Sequence, residues 1–332
     1  MKARLFILTV ALAVAISIVG AQSPARIVMG GKAVTMVADA VYAFPSARDK
    51  IVAVGGTDQG LGVFLETVVP GFSTLPSFDR QAGAEVYASF KPDLIILKSS
   101  LKKSLGVSLE TLGLKTSYVS LETPEDYYAE LAMLGTLFSD DSRAGSLIGY
   151  YKGVVAKARQ AAGKTAVVAP RVLLAQATAD GFTVPPDSWM QTLLVELAGG
   201  VPVWKGSNPG SGWATVGAEQ INAWNPDIFV IVSYKSSASD IAAKTAVDPR
   251  YAGLKAARNG RIVGFAQDFL SWDQPDTRWG LGLLWLTDVI KPGSMPGFSA
   301  EAEARNFYRL FYGINDASFD SVVKPRMSGL GK

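Results

Sequence analysis

The chain has 332 residues, of which 48% are hydrophobic, and a formal net charge of +3. This length suits two domains better than one, and the small charge gives no sign of a nucleic-acid partner or of a basic membrane-binding patch. The sequence contains neither cysteine nor histidine. Their absence excludes disulfides, Ser-His-Asp and Cys-His nucleophile systems, zinc sites built on His or Cys, and haem with a His or Cys axial ligand. Carboxylate, lysine or tyrosine chemistry remains open.

Residues Met1–Ala21 are typical of a secretory signal peptide. Lys2 and Arg4 precede the apolar stretch Leu5–Val19, and Val19-Gly20-Ala21 is a small-residue cleavage site. The apolar stretch is short for a membrane span, so an uncleaved anchor helix is the less favoured alternative. No cysteine stands at the cleavage site, so a lipoprotein is not expected. We therefore expect a protein free in the periplasm, in which the 29 acidic residues nearly balance the basic residues that remain.

The first half of the mature chain predicts a parallel sheet with crossover helices. A short strand ends at Gly30-Gly31 and is followed by a helix and a second strand, which is the order of a βαβ unit. The predicted elements are strand Arg26–Met29, helix Lys32–Phe44, strands Ile51–Val54, Leu94–Leu97 and Tyr118–Leu121, and helix Pro124–Phe138. Together they predict an N-terminal α/β lobe over residues 24–138.

A long helix is expected to lead into a second α/β lobe. Ser139-Asp140-Asp141 is a good N-cap cluster, and apolar residues at helical spacing continue to about Ala162, so residues 139–163 predict a stiff connecting helix. The second lobe is expected over residues 170–332. Its predicted elements are strand Val172–Ala175, helix Ser188–Ala198, a Gly/Ser-rich loop Gly206–Gly212, helix Ser237–Ala246, strand Arg261–Phe265, helix Thr277–Ile290 and a final helix Ala300–Tyr312.

Two stretches of the chain read as copies of one unit. In each, a Glu begins a short helix, a Pro stops it, and a buried strand follows. The matched pieces are Ala84-Glu85, Pro92-Asp93 and Leu94–Leu97 in the first copy, and Ala218-Glu219, Pro226-Asp227 and Ile228–Val232 in the second, at the same spacing. A unit repeated at that distance fits one lobe of a two-lobed protein. The predicted fold class is therefore α/β, with two Rossmann-like lobes joined by a single long interlobe helix and a ligand cleft between them.

Neither glycine-rich loop matches a nucleotide-binding motif. Gly55–Gly62 follows a strand but lacks the dinucleotide fingerprint, Gly206–Gly212 follows a helix, and no Walker A sequence is present. Both loops are expected at the rim of a sheet, where small residues let a ligand approach the backbone. Plain turns explain them equally well.

Aromatic side chains are concentrated in the second lobe, several of them in predicted loops. Trp213 lies in the Gly/Ser-rich loop, Phe182 follows the strand Val172–Ala175, and Trp272 follows the strand Arg261–Phe265. Trp189, Trp204 and Trp224 also belong to this lobe. Loops at the carboxyl ends of parallel strands face the ligand crevice of an α/β sheet, and aromatic faces there suit a large, flat or apolar-rimmed ligand. Packing of each Trp on a helix end is the alternative that remains open.

Glu85 and Glu219 stand in the first turns of the two repeated helices. A Glu in this position stabilises the helix dipole, so one alone needs no other explanation. Two at matching places in two lobes form a symmetric pair that paired arginines of a two-fold partner could bind.

These residues, taken in order, resemble the class III periplasmic substrate-binding proteins of ABC importers. That group includes the vitamin B12-binding and ferric-siderophore-binding proteins, and the resemblance covers nearly the whole mature chain. It rests on Pro24–Val28, Lys91–Leu97, Leu197–Gly200, Glu219-Gln220 with Asn225–Asp227, Asp248–Arg250, Asn259–Val263, the helix Arg278–Val289 and the ending Asn306–Tyr312.

The resemblance implies a ligand held between two α/β lobes with modest closure, and it implies that Glu85 and Glu219 dock onto arginines of the permease dimer. It also places some residues where the B12-binding relatives line their cleft. These are Thr57, Asp79, Lys98, Phe182 and Trp213. Asp79 and Lys98 replace aromatic residues there, which argues against a pocket identical to that for cobalamin.

The sequence thus predicts a monomeric binding protein, with no catalysis, cofactor or protein-held metal, that delivers a metal chelate to an inner-membrane ABC permease. A ferric siderophore is the best single candidate. Lys98 and Arg278 are expected to offset an anionic chelate, and Phe182, Trp213 and Trp272 to cover its organic rim. The alternatives are a corrinoid, haem or nickel chelate as cargo, a secreted enzyme using Asp268 and Asp273, and an adhesion or sensory module.

Overall fold

The computed structural model describes residues 23–57, 60, 64–163, 168–208 and 210–330. The predicted signal peptide and part of the Gly55–Gly62 loop lie outside these residues. Within the described ranges, no helix combines the length and the apolar character that crossing a membrane requires.

The N-terminal lobe is built on a sheet of five parallel strands. The strands are β1 (Ile27–Met29), β2 (Ile51–Gly55), β3 (Ser77–Phe78), β4 (Leu94–Lys98) and β5 (Thr116–Val119). The helices are α1 (Val34–Tyr42), α2 (Phe64–Val68), α3 (Ala84–Ser89), α4 (Val107–Thr111) and α5 (Pro124–Phe138). The strand order is β3-β2-β1-β4-β5, with Val28 of β1 paired to both Ala53 and Ile95. This order reverses direction at β1 and β4, which is where doubly wound sheets bind ligands.

One long helix, α6 (Asp141–Gly163), follows the N-terminal lobe. Its buried face includes Leu147, Tyr151 and Ala158. The ring of Tyr151 stacks on Trp279 with centroids 4.6 Å apart, and its hydroxyl donates to the carbonyl oxygen of Thr277 at 2.7 Å. The connecting helix is therefore fixed against the C-terminal lobe by both stacking and hydrogen bonding.

The C-terminal lobe has a mixed sheet of six strands. The strands are β6 (Arg171–Thr178), β7 (Gly181–Val184), β8 (Val201–Pro202), β9 (Ala214–Val216), β10 (Ile228–Val232) and β11 (Ile262–Gly264). The helices are α7 (Met190–Leu197), α8 (Ala218–Trp224), α9 (Ala238–Ala246), α10 (Lys255–Arg258), α11 (Trp279–Ile290), α12 (Ala300–Tyr312) and α13 (Asp316–Ser318). The order is β11-β10-β6-β7-β9, with β8 beside β6. Strands β6, β8, β10 and β11 are parallel, whereas β7 and β9 add antiparallel pairs.

The sequence repeat corresponds to a repeated structural unit. Gly83 and Gly217 precede α3 and α8 in nearly the same extended conformation. Asp93 accepts hydrogen bonds from the backbone N–H groups of Ala25 and Arg26, and Asp227 accepts one from the backbone N–H of Arg171. The side chains of these two arginines donate to carbonyl oxygens at the ends of α3 and α8. Each Asp therefore fixes the start of the neighbouring strand, β1 in one lobe and β6 in the other.

One large apolar core runs through both lobes. The ring of Phe64 from the N-terminal lobe lies within 5.4 Å of the rings of Phe269 and Tyr308 and within 4.7 Å of that of Tyr312. A second, smaller core covers the other face of the N-terminal sheet and includes Val28, Tyr87 and Ile95. The two lobes are thus joined by packed side chains as well as by α6.

Two predicted strands differ from the structure. The strand expected at Tyr118–Leu121 is Thr116–Val119, because Leu121 has a φ of 55° and Glu130 accepts hydrogen bonds from the backbone N–H groups of Ser120 and Leu121. The strand expected at Val172–Ala175 continues to Thr178 and turns directly into the antiparallel strand β7. The region after Ala175 is therefore a hairpin, not a loop.

Candidate ligand-binding cleft

A cavity of about 450 Å³ lies between the two lobes, at the carboxyl ends of their strands. Its N-terminal wall is formed by Lys32, Ala33, Met36, Lys98, Ser100 and Glu122. Its C-terminal wall is formed by Gln176, Trp189, Gln191, Ser211, Gly212, Trp213, Tyr234, Gln274 and Pro275. Most residues of the N-terminal wall end or follow β1, β4 or β5, and Tyr234 of the C-terminal wall follows β10, whereas Gln191 lies on α7 and Trp213 precedes β9. The crevice rule for α/β sheets therefore locates the cavity correctly in both lobes.

Three aromatic side chains form one face of the cavity. The ring of Trp213 lies 6.0 Å from that of Trp189 and 6.0 Å from that of Tyr234, edge to face in both cases. Both tryptophans are only partly buried. They offer apolar surface to an occupant of the cavity while their mutual packing holds them in place.

A buried hydrogen-bond network supports this aromatic face. Asp273 is fully buried, and its Oδ2 accepts from the Tyr234 hydroxyl at 2.7 Å and from Gln191 Nε2 at 3.2 Å. Its Oδ1 accepts from the Ser271 hydroxyl at 2.5 Å. Burial raises the pKa of Asp273, and the hydrogen bonds that the carboxylate accepts oppose that rise. The network therefore holds the side chains of Tyr234 and Gln191 in place through the buried carboxylate of Asp273.

The N-terminal wall carries the charged groups of the cavity. Lys32 is exposed and precedes α1, whose N-terminus has no side-chain cap. Lys98 is 4% exposed, and its Nζ donates to Glu122 Oε1 at 2.8 Å and to the carbonyl oxygen of Ser120. Glu122 therefore compensates the charge of Lys98. Lys32 forms no ion pair among the described residues.

Of the residues predicted to bind ligand, the structure brings Lys98 and Trp213 to the cavity. Thr57 and Asp79 are exposed just beyond β2 and β3, and neither lines the cavity. The carboxylate of Asp79 accepts a hydrogen bond from the backbone of Gln81, which is a local turn contact.

Phe182 does not line the interlobe cavity. It lies on β7, is 6% exposed, and packs edge to face on Phe229 and Tyr251 with centroids 5.0 and 5.9 Å away. Its assignment to the cleft fails because the segment after β6 folds back as a strand and turns this side chain into the core of the lobe.

Trp272 and Arg278 are also core residues. Trp272 is fully buried and donates from Nε1 to Asp268 Oδ2 at 2.9 Å. Arg278 is fully buried and contacts three carboxylates, with Asp39 at 2.7 Å, Asp276 at 2.5 Å and Asp268 at 2.9 Å. Its charge is therefore engaged in joining the lobes, and it is not available to an anionic ligand.

The two carboxylates considered for catalysis belong to different networks. Asp268 contacts Trp272, Arg278 and Tyr308, whereas Asp273 contacts Ser271, Tyr234 and Gln191. Both side chains are buried and hydrogen-bonded. Their positions suit structural support better than proton transfer to a substrate.

Sequence reasoning missed most of the polar lining of the cavity. Lys32, Gln191, Tyr234 and Gln274 were not selected, although Tyr234 follows a predicted strand by two residues. The carboxyl-end rule, applied to every predicted strand and not only to aromatic residues, could have found Lys32 and Tyr234. Gln191 lies in the first turn of α7, so the sequence offered no comparable signal for it.

Glu85 and Glu219 are both exposed and lie in the first turns of α3 and α8. Neither side chain takes part in an ion pair within the part of the chain that the structure describes. The two glutamates therefore occupy equivalent positions in the repeated units, with their charges uncompensated.

Comparison with known proteins agrees with this architecture. Residues 24–268 match the family model described as "Periplasmic binding protein". No curated protein sequence gives a significant match. A periplasmic solute-binding protein from Veillonella parvula is 21% identical, with a TM-score of 0.70 over 91% of this chain and 92% of that chain.

Two further solved structures share the fold. The molybdate-bound protein MolA of Haemophilus influenzae is 15% identical, with a TM-score of 0.72 over 88% of this chain and 93% of that chain. CeuE of Helicobacter pylori, solved with Ni(II) bound, is 15% identical, with a TM-score of 0.70 over 91% and 95%. The family model spans most of the chain and confirms the resemblance found in the sequence. The chain belongs to the periplasmic binding protein family, the solute-binding components of ABC transporters, which are not enzymes.

Proposed function

We propose that this protein captures a metal chelate in the interlobe cavity and delivers it to an inner-membrane ABC permease, with a ferric siderophore as the best single candidate. The observation that carries the proposal is a cavity with walls from both lobes and an aromatic face formed by Trp189, Trp213 and Tyr234. Its volume of about 450 Å³ lies within the range of small-molecule sites.

The charge of the cavity supports a modestly anionic cargo. Among the described residues, two lysines and one glutamate line it, and Lys98 and Glu122 compensate each other. Lys32 remains as the exposed cation at the mouth of the cavity. Because the chain has no histidine or cysteine, the metal's ligands are expected to come from the chelator.

The same transport role is compatible with ligands other than a ferric siderophore. Nickel chelates and oxyanions deserve inclusion because two structural relatives were solved with Ni(II) and with molybdate. Haem and corrinoids are further candidates. Lys98, which lines the cavity where the B12-binding relatives have an aromatic residue, argues against a cobalamin-identical site.

The proposal includes release of the chelate to the permease through Glu85 and Glu219. Their exposure and their equivalent positions in the two lobes support docking onto a two-fold partner. The protein acts as a periplasmic monomer after removal of the first 21 residues.

Intrinsic tryptophan fluorescence tests the ligand class. Titration with ferric hydroxamates, ferric catecholates, haem, corrinoids and nickel complexes is expected to give saturable quenching by one of them, at one ligand per chain. Trp189→Phe and Trp213→Phe should each reduce the response, whereas Trp224→Phe, on α8 and outside the cavity lining, should preserve it. No response to any member of the panel would eliminate the metal-chelate class.

A further inference from the structure

We propose that the C-terminal segment, residues 327–330, is a positioning element of the binding site. Its backbone pairing with Gln267 holds the C-terminal wall of the interlobe cavity in the shape that binds the cargo. The four residues of the segment, all of them described, lie outside the cavity lining, so the segment acts through the wall residues Tyr234 and Gln274. This inference deepens the proposed function and rests on it for the location of the site.

The C-terminal segment packs directly on Gln267 and on the residue that follows β11. The backbone N–H of Gln267 donates to the carbonyl oxygen of Ser328 at 3.1 Å, and the N–H of Ser328 donates to the carbonyl oxygen of Gln267 at 2.9 Å. A Cβ at Gly329 would lie 2.9 Å from the carbonyl oxygen of Phe265. Two further residues of the segment are partly buried against the large apolar core: Met327 and Leu330. The segment is therefore a paired strand-like element, held from both sides of Ser328.

The side chain of Gln267 connects this pairing to the loop that carries Tyr234. Its Oε1 accepts from the backbone N–H of Ala238 at 3.0 Å, and its Nε2 donates to the carbonyl oxygen of Ser236 at 3.3 Å. The two bonds fix the end of the loop between β10 and α9, in which Tyr234 lines the cavity. Because both ends of the amide are engaged and Gln267 is buried, any shift of its backbone also shifts this loop or breaks a hydrogen bond.

The backbone of Gln267 connects the same pairing to the turn that carries Gln274. Gln267 forms a second antiparallel bridge, with Ser271. The carbonyl oxygen of Ser271 accepts from the N–H of Gln274 at 3.2 Å, and its hydroxyl donates to Asp273, the carboxylate that holds Tyr234. Both segments of the C-terminal wall thus depend on Gln267.

The effect on affinity follows from the populations of the wall. Without the two bonds to Ser328, Gln267 is free to move, and the wall spends part of its time in geometries that do not fit the cargo. The apparent affinity then falls in proportion to the fraction of molecules whose wall has the binding geometry. The fold survives, because β10 and β11 keep their own parallel pairing. The inference therefore predicts a loss of affinity without unfolding.

The first measurement needs no ligand and follows the exchange of backbone N–H groups with deuterium. Ser328→Pro removes the N–H that donates to Gln267. It should speed exchange in residues 233–238 and 271–276 by at least about fivefold and leave exchange in α5, in the other lobe, unchanged. The conservative variant Ser328→Ala keeps the N–H and should restore wild-type exchange. Unchanged exchange in both wall segments of Ser328→Pro, or equally faster exchange in α5, would overturn the inference.

The second measurement uses ligand and two glycines of matched conformation. Gly329 has a φ of 72° and Gly297 a φ of 75°, so alanine strains the backbone similarly at both positions. Apart from its chain neighbours, no atom of the described residues lies within 4 Å of a Cβ at Gly297, whereas a Cβ at Gly329 meets the backbone of Phe265. Gly329→Ala should weaken binding of the probes ferrioxamine B or ferric enterobactin by about three- to tenfold, and Gly297→Ala by less than about twofold.

The outcomes separate this inference from the proposed function. Melting curves of Gly329→Ala and Gly297→Ala show how much stability each variant loses, and only the loss of affinity is specific to the C-terminal segment. Equal affinities of the two variants for a chelate that binds wild type would overturn the inference while leaving the metal-chelate class intact. If no chelate binds wild type, the proposed ligand class fails, and hydrogen exchange in the ligand-free Ser328→Pro protein still decides whether the segment holds the wall.

Discussion

Arg278 and its three carboxylate neighbours form a buried cluster of charged residues. The guanidinium joins Asp39 on α1 to Asp268 and Asp276 in the C-terminal lobe, and the side chains are almost fully excluded from water. The Tyr308 hydroxyl accepts from Arg278 Nε, and the Tyr312 hydroxyl donates to the Asp39 carbonyl oxygen. Burial raises the pKa of Asp39 to about 8, and it raises the pKa of Asp276 as well. A proton held in this cluster lets three carboxyl groups share one cation.

The raised pKa of Asp39 predicts that the folded protein becomes less stable as the pH rises. Between the usual pKa of an aspartate, about 4, and the raised pKa of Asp39, the folded protein binds more protons than the unfolded chain, so its free energy of unfolding decreases with pH. The melting temperature should therefore drop between pH 5 and pH 9. Asp39→Asn, which keeps a neutral hydrogen-bonding group, should reduce that drop.

The absence of histidine makes this measurement clear, because no side chain in the protein has an ordinary pKa between 5 and 8. Melting curves of wild type and Asp39→Asn across that range give the comparison. Identical pH slopes in the two proteins would show that Asp39 is ionised in the folded state at all these pH values.

At the scale of elements, α11 packs closely against the segment that carries Trp272 and Asp273. A Cβ at Gly282 would lie 2.1 Å from the carbonyl oxygen of Trp272, a backbone atom that cannot move without moving the cavity wall. Gly282→Ala should therefore destabilise the protein by about 1–3 kcal/mol or more. It should also weaken ligand binding.

Gly149 on the exposed face of α6 is the matched control. Apart from its chain neighbours and the backbone of its own helix, no atom of the described residues lies within 4 Å of a Cβ built there. Gly149→Ala should stabilise the protein by about 0.5–1 kcal/mol, because alanine restricts the unfolded chain and favours the helix. Chemical denaturation of both variants gives the comparison, and a neutral effect of Gly282→Ala would contradict the close approach of α11.

Elements with strong local signals were predictable from sequence. The helices Pro124–Phe138 and Ala300–Tyr312 have the predicted bounds, because Thr123 and Ser299 cap their first turns with side-chain oxygens.

The short strands β3, β7, β8 and β9 were not predicted. Their two to four residues carry no clear alternation. Strands β3, β8 and β9 form through pairing with strands distant in sequence, whereas β7 forms a tight hairpin with β6. The position of Phe182 was therefore wrong.

The whole molecule explains why only part of the site was predictable. Lys98 ends β4 and follows from the rule that the carboxyl ends of strands meet at the cleft, which is a property of the fold. Trp213 precedes β9, and its place at the cleft follows from its aromatic character in a Gly/Ser-rich loop and from the family resemblance. Burial of Arg278 depends on contacts with Asp39 on α1 and Tyr308 on α12, which lie far away in sequence. Aromatic and basic character alone could not distinguish a residue that faces the cleft from one that packs beneath it.

Docking onto the permease is a property of the whole molecule, because it uses one glutamate from each lobe. The double variant Glu85→Lys/Glu219→Lys should lose transport by at least about tenfold while its affinity for ligand stays within about twofold of wild type, since neither residue lines the cavity. Uptake in cells or proteoliposomes measures transport, and fluorescence titration measures affinity. A control with the same change in charge, Asp49→Lys/Glu125→Lys, uses exposed residues outside α3 and α8. Unchanged uptake by the docking variant would remove this role.

The central claim is that the cavity between the lobes holds the cargo, and a blocked cavity tests it most directly. Ser100 is exposed on the N-terminal wall, whereas Ser104 is exposed four residues further along and does not line the cavity. Calorimetric titration with the chelate that quenches wild-type fluorescence should show one site per chain in wild type and Ser104→Trp, and at least about tenfold weaker binding to Ser100→Trp. Equal affinity of all three proteins would place the cargo elsewhere and contradict the account.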